Sequence, residues 1–254
     1  MVAARKPFQG VMNVVRFNWH FYIIAGSVIL SLLVGAWYVD DIWRLLLLAV
    51  AAIAAFTLTV SLLATYYIYD LSDLYNFTWL KRYQPHSGDA ILNVNAGFDE
   101  TSDLLADKFP EASLHVADFY DPNLHTEVSI KRARIAYPPH PGTVNVETAS
   151  LPYEDDAFDM IFVIFAAHEI RNSEERRQFF RELKRVSKPK ARIFVTEHLR
   201  DLSNFLVYTI GFMHFYSHKE WIEIFDDTQL DLLKEVKTTP FVSTFTLVNN
   251  GDTN

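Results

Sequence analysis

The stretch Glu147-Thr-Ala-Ser-Leu-Pro-Tyr-Glu-Asp-Asp-Ala-Phe-Asp159 runs directly into Met160-Ile-Phe-Val-Ile-Phe-Ala-Ala-His-Glu-Ile170. Its first part is a turn, carrying Leu151-Pro152-Tyr153 and the acidic pair Asp155-Asp156. From 158 to 165 every residue except Asp159 is apolar, with no alternation, the pattern of a strand buried on both faces. Ser173, Glu174 and Glu175 then give a capping-type start to a charged helix running to Val186, and residues 191–197 read as the next strand. Working outward, the same alternation recurs upstream. Strands are expected at 90–95, 113–118 and 143–147, and helices at 100–109 and 123–136. Downstream, residues 202–216 are apolar and aromatic, a helix is expected near 218–225, and strands at 230–236 and 241–248 join at Thr238-Thr239-Pro240. Strands alternating with helices imply a parallel sheet covered on both faces, with right-handed crossovers.

Several of these features occur together in one family. They are the acidic Glu147, the Leu151-Pro152-Tyr153 turn, the acidic pair, Phe158-Asp159 before a buried strand, and a helix ending Glu182-Leu183-Lys184-Arg185-Val186. In this, residues 86–250 resemble the class I S-adenosylmethionine-dependent methyltransferases. Where the family has Lys-Pro-Gly-Gly, this chain has Lys188-Pro189-Lys190-Ala191. The resemblance implies an α/β, Rossmann-like methyltransferase fold: a mostly parallel seven-stranded sheet with a terminal antiparallel pair. It also implies S-adenosylmethionine as cofactor. The loop after the first strand, normally acidic-x-Gly-x-Gly-x-Gly, reads Asn93-Val94-Asn95-Ala96-Gly97-Phe98-Asp99, so only Gly97 survives. Asn95 tolerates positive φ and is expected to preserve the turn, whereas Asp99 brings bulk and negative charge towards the cofactor. By the same resemblance Asp118 would accept the ribose hydroxyls, and Glu147 or Thr148 would reach the adenine. Phe165, in the segment bordering cofactor and acceptor, completes the expected set.

In a doubly wound sheet, ligands bind beyond the carboxyl ends of the strands at the switch in strand order. His168 lies there and can act as a general base, with Glu169 orienting it; the pair can equally cap the next helix. Glu197 and His198 end the fifth strand on the same side, for chemistry or for interstrand hydrogen bonding. His214 and His218 have the i, i+4 spacing of metal ligands on one helix face. With no carboxylate or Cys nearby they are assigned to an interfacial aromatic surface instead, and no metal is expected. The 202–216 segment reads as core by default, or as a substrate lid or a surface resting on a bilayer.

Composition separates the N-terminal part from the rest. Residues 1–70 hold four of the 23 Lys and Arg and three of the 31 Asp and Glu, leaving a strongly acidic remainder. Such a balance argues against nucleic acid as a partner. There is no cysteine, hence no disulfide or thiolate site. Residues 19–39 carry no formal charge, and 45–69 form a second apolar run after Asp40, Asp41 and Arg44. Each is long enough to cross roughly 30 Å of hydrocarbon as a helix. An N-terminal segment with a transmembrane hairpin is expected over 1–70, a connector over 71–88 and a methyltransferase-like domain over 89–254. Arg5, Lys6, Arg16, Lys81 and Arg82 flank the spans, which by the positive-inside rule puts both termini and the C-terminal domain on the cytoplasmic side of the cell membrane. Ser27, Ser31 and Gly35, and the alanines of 49–55, would let the two helices approach closely.

The function expected is methyl transfer to a lipophilic small molecule, such as a quinone, polyene pigment or lipid precursor, with membrane lipids as neighbours. A membrane scaffold that kept the fold and lost catalysis is the alternative. A nicotinamide-dependent reductase fits poorly, since the chain has no Tyr-x-x-x-Lys pair.

Overall fold

The structure is a computed structural model and describes residues 5–251. An N-terminal helix, α1 (Gln9–Phe17), precedes a hairpin of two long helices, α2 (Trp19–Trp37) and α3 (Asp41–Tyr66). A π-helical turn, Tyr67–Leu71, extends α3. Both hairpin helices are long and apolar enough to cross a membrane by length and composition, and only 6% of the apolar window of each is buried. The core helix of a soluble protein would be mostly covered. The close approach differs in detail from expectation: Ser27 and Ser31 are exposed, while Ala36 and Ala51 are buried and Gly35 lies against Leu47. Alanine and glycine therefore supply the helix–helix contact.

The sheet contains β1 (Ala90–Asn95), β2 (Ser113–Asp118), β3 (Val144–Asn145), β4 (Phe158–Ile164), β5 (Ser187–His198), β6 (Asp231–Thr239) and β7 (Val242–Val248). Their order is β3-β2-β1-β4-β5-β7-β6, parallel through β5 and antiparallel for the last pair, as expected. β1 and β2 match the expected bounds. β5 begins earlier because Ser187 already pairs with Phe158, across an irregularity in the ladder. Lys190 adopts φ 68°, so the left-handed backbone is kept where the family has glycine.

One sheet face is covered by α6 (Ser173–Val186) and α8 (His218–Asp227), through Phe179, Phe180, Leu183, Trp221 and Phe225. Asn172, rather than Ser173, caps α6 by accepting the amides of Glu174 and Glu175. The other face is covered by α4 (Ser102–Lys108) and by the 71–88 connector. Phe77 and Leu80 of that connector are buried against Ile91, Phe162 and Phe194, so it forms part of the domain's layer. α5 (Val128–Ala136) follows β2.

Residues 202–216 fold as α7 (Leu202–Tyr208) and a 3-10 turn, Thr209–His214. Reading this segment as core is corrected: Leu202 is 70% and Ile210 79% exposed, and Phe205, Leu206 and Met213 are also open. α7 packs at the foot of α3, so this apolar surface continues that of the hairpin.

Candidate active site

The strand order reverses between β1 and β4, and the loops after β1, β2, β4 and β5 converge there. Two cavities open at this point. The larger, of about 310 Å³, is lined by Asn95, Ala96 and Phe98 after β1, by Phe165, His168 and Glu169 after β4, and by His198 at the end of β5. Its remaining walls come from outside the sheet: Asn13, Val14 and Phe17 of α1, Thr65 and Tyr69 at the foot of α3, Tyr208 and Phe215. The smaller, of about 10 Å³, lies between Asn95, Gly97, Asp99, Asp118, Arg134 and Tyr137.

At the smaller cavity Gly97 has φ 95°, and a Cβ there would meet the Tyr120 side chain at 2.9 Å. The positive φ falls on Gly97; Asn95 stays in the strand and its Oδ1 accepts the Gly97 amide, which corrects the expected turn. Asp99 does not act as a loose charge, because its Oδ1 accepts the amides of Thr101 and Ser102 at the start of α4. Asp118 is 2% exposed. One of its oxygens accepts the Tyr120 amide and the other pairs with the Arg134 guanidinium, which lies 4.4 Å over the Tyr120 ring.

Three of the expected cofactor residues lie apart from both cavities. Asn93 is buried, and its amide donates to the Thr101 and Ser102 hydroxyls, fixing α4 on β1. Glu147 is exposed and forms a bridge with Ser150. Thr148 donates to Glu175 at 2.6 Å.

At the larger cavity, Phe165 takes φ 51°, a strained conformation for an aromatic residue, and its ring stacks on His198 with centroids 5.0 Å apart. His198 is sandwiched from the other side by Phe215. Its Nδ1 donates to the Phe241 carbonyl at 3.0 Å, which leaves Nε2 to accept from the Tyr69 hydroxyl at 2.8 Å. Burial, reinforced by the charge of His168, depresses its pKa to about 4, so this imidazole is neutral.

His168 is the opposite case. Burial alone would lower its pKa, but the Glu197 carboxylate, fully buried and 2.6 Å from Nδ1, and Glu169, 3.2 Å from Nε2, push it up to about 10. Without a competing cation it holds its proton at neutral pH, which weakens the reading of His168 as a base. Burial pushes Glu169 up, yet its hydrogen bonds and charge pairing with His168 and His214 hold it well below the usual carboxylate range.

The assignment of His214 to an aromatic surface far from any carboxylate is also corrected. The 3-10 turn folds His214 back so that its ring comes within 3.6 Å of Glu169 and 3.4 Å of Glu127, while His218 points away and meets Glu235. Missing from the sequence reading is Glu100, which accepts from Arg5, from Asn13 at 3.0 Å and from the Tyr75 hydroxyl at 3.0 Å. Burial first and Glu100 second hold Tyr75 well above the usual tyrosine range, so it donates as a phenol. These bonds tie α1 and the connector over the loop after β1.

Residues 92–195 match the family model described as "Methyltransferase domain". Over these residues the chain is similar to that family. Among curated proteins, a demethylmenaquinone methyltransferase of Clavibacter sepedonicus is 34% identical over 115 residues, 44% of this chain and 42% of that protein. A ubiquinone/menaquinone biosynthesis C-methyltransferase of Geotalea daltonii is 29% identical over 120 residues, 46% of this chain and 47% of that protein. The chain thus spans rather less than half the length of the curated relatives it matches. Among solved structures, geranyl diphosphate C-methyltransferase from Streptomyces coelicolor superposes with a TM-score of 0.51 at 12% identity, covering 69% of this chain and 78% of that one. A SAM-dependent methyltransferase from Aquifex aeolicus gives 0.50 at 19% identity, covering 71% and 94%. These likenesses agree with the methyltransferase fold. The hairpin lies outside the matched family region.

S-adenosylmethionine is the cofactor of this family, and the donor set of the methyltransferase domain fits it after one rearrangement. Asp118 offers the carboxylate suited to a ribose diol. The Asn95 amide nitrogen is buried at both cavities without a partner, a donor left unused. The obstacle is Arg134, which holds Asp118 and must withdraw.

Proposed function

We propose that this protein transfers a methyl group from S-adenosylmethionine to a lipophilic small molecule that reaches it from a bilayer, and that the acceptor is a quinol or a similar ring hydroxyl compound. The observation that carries this reading is the composition of the larger cavity. Its walls are shared between the carboxyl ends of the strands and the foot of an apolar helix long enough to span a membrane. A prenylated ring would place its tail along the hairpin and its head among Phe165, His198 and Phe215. The exposed apolar face of α7 supports contact with lipid, and the names of the two curated relatives support a quinone-like head.

The cofactor would be held by Asp118 and Asn95, with Gly97 allowing close approach, and would supply an electrophilic methyl on sulfur. The protein's own contribution is mostly alignment. Phe165 and Phe215 grip the imidazole of His198 and present an aromatic wall to a flat ring. The Tyr69–His198 pair offers the acceptor's hydroxyl a neutral partner. Tyr75, Asn13 and Glu100 add polar groups to the cavity wall.

A test is transfer of labelled methyl into lipid-extractable product by the protein in nanodiscs, using demethylated quinols with and without a prenyl tail. The reading requires turnover that rises with the tail. Equal turnover of water-soluble and prenylated acceptors would sink it. The ion pair at Asp118 favours a second reading, a scaffold that no longer binds cofactor; it predicts no binding of S-adenosylhomocysteine by folded protein.

A further inference from the structure

The contacts among His168, Glu169 and His214 have a use that alignment of a methyl acceptor does not require. Their ligand atoms all lie within 4.8 Å of one another. His168 Nε2 is 3.2 Å from Glu169 Oε1, and His214 Nε2 is 3.6 Å from the same oxygen. Donors on a first-row divalent ion, each about 2.1 Å from it, stand at such separations. The two residues after β4 come from one short turn, and His214 is brought to them by the 3-10 turn that follows β5 and α7.

A second observation is independent of this spacing. Glu197, fully buried at the end of β5, accepts from His168 at Nδ1 at 2.6 Å, and its other oxygen accepts the His168 backbone amide at 3.2 Å. The imidazole is thereby fixed with Nε2 aimed at Glu169. A carboxylate bound to the distal nitrogen is the support that metal-ligating histidines use, because it sets the tautomer and raises ligand basicity. A helix-capping His-Glu pair needs no such buried anchor.

The same donors already gather a cation. Arg171 donates to the His214 ring and its guanidinium lies 3.9 Å from Glu169 and 3.7 Å from Glu127. Its side chain is 44% exposed, so it can withdraw towards Glu127 as another cation enters.

We propose that His168, Glu169 and His214 bind one divalent transition-metal ion, such as zinc, at the edge of the larger cavity. Two imidazoles and one carboxylate suit zinc or ferrous iron better than magnesium, which prefers oxygen donors. The ion takes the place of the proton on His168 Nε2. Its catalytic sense rests on the methyl-transfer reading, where a Lewis acid beside the cavity would bind the acceptor's oxygen and favour its deprotonated form.

The experiment is a titration of the chelator-stripped, full-length protein in detergent with cobalt(II), followed by its visible d–d absorption, and then displacement by zinc. Saturation at one ion per chain is expected. His214→Ala and Glu169→Gln should each weaken binding on the order of 100-fold, and Glu197→Gln roughly 10–100-fold. His218→Ala should bind as the parent does. Circular dichroism and thermal melting of each variant separate lost ligation from lost folding. Absence of saturable binding, or binding untouched by His214→Ala and Glu169→Gln in folded protein, would overturn the proposal. Because the readout is metal binding, a chain that takes up cobalt but transfers no methyl upholds the site while refuting the methyl-transfer reading.

Discussion

At the Asp118 end of the cleft a buried carboxylate is already engaged, by Arg134 and the Tyr120 amide, and about 10 Å³ is left open. At the His198 end a neutral imidazole stands between two aromatic rings beside about 310 Å³ of space. One end is shut by an ion pair; the other is propped open by ring stacking and by the foot of the hairpin. Polar closure of this kind is reversible, because a ribose diol can replace the guanidinium on the carboxylate and Arg134 can turn to water. A stacked aromatic wall has no competing partner to leave for. On the proposed reading, the cleft joins a gated cofactor end to an open acceptor end.

The sharpest probe of the open end is acid. Since the folded protein holds the His198 pKa near 4, below the value of about 6.5 in an unfolded chain, the unfolded state binds the extra proton first as pH falls. Its contribution to stability is full above pH 6.5 and is lost as pH drops towards 4, up to about 3 kcal/mol. Thermal midpoints measured across that window should fall steeply, and should fall less in His198→Asn. An unchanged acid profile in the variant would mean that the stacked imidazole does not behave as described.

At the gated end, Asp118→Ala removes the acceptor of two ribose hydrogen bonds and should weaken S-adenosylhomocysteine binding roughly 100-fold, about 2.7 kcal/mol. Gly97→Ala puts an L-residue at φ 95° and a methyl against Tyr120. A loss of about 2 kcal/mol is expected, lowering the melting temperature by roughly 4–8 °C. The smallest effect has the opposite sign. Arg134→Ala frees Asp118 and should tighten cofactor binding roughly fivefold; weaker binding would show that Arg134 assists the cofactor rather than blocking it.

The same contrast decides what could be read from the sequence. β1, β2 and α6 were legible to the residue because short, largely apolar strands bounded by turn residues and a charged amphipathic helix carry their own pattern. The positive φ of Gly97 and the buried carboxylate of Asp118 at the end of β2 agree with a family pattern, their cofactor role being proposed. The acceptor end was largely hidden, because its parts are brought together by long-range contacts. α1 has no local cap: Phe8 precedes it in a left-handed conformation, and the first amides, of Gly10 and Val11, are bound by the distant Asp70 carboxylate at 2.7 and 2.8 Å. Gly10 suits this close approach, since a Cβ there would meet that of Tyr69 at 2.3 Å. Glu100 gave no signal, and His214 was paired with the wrong neighbour, His218, because its partners Glu127 and Glu169 lie on other elements. Asn93 and Asp99 looked like damage to a glycine-rich loop, yet their side chains hold the start of α4, and this explains how the loop keeps its shape with a single glycine.

The most direct measurement is calorimetric titration of S-adenosylhomocysteine into the protein in lipid nanodiscs, with Asp118→Ala and Arg134→Ala alongside. A gated cofactor site predicts one site of roughly micromolar affinity, lost in the first variant and strengthened in the second. Folded protein that binds nothing in all three forms would contradict it, and would leave the Arg134–Asp118 pair as a permanent closure of a methyltransferase fold that no longer uses its cofactor.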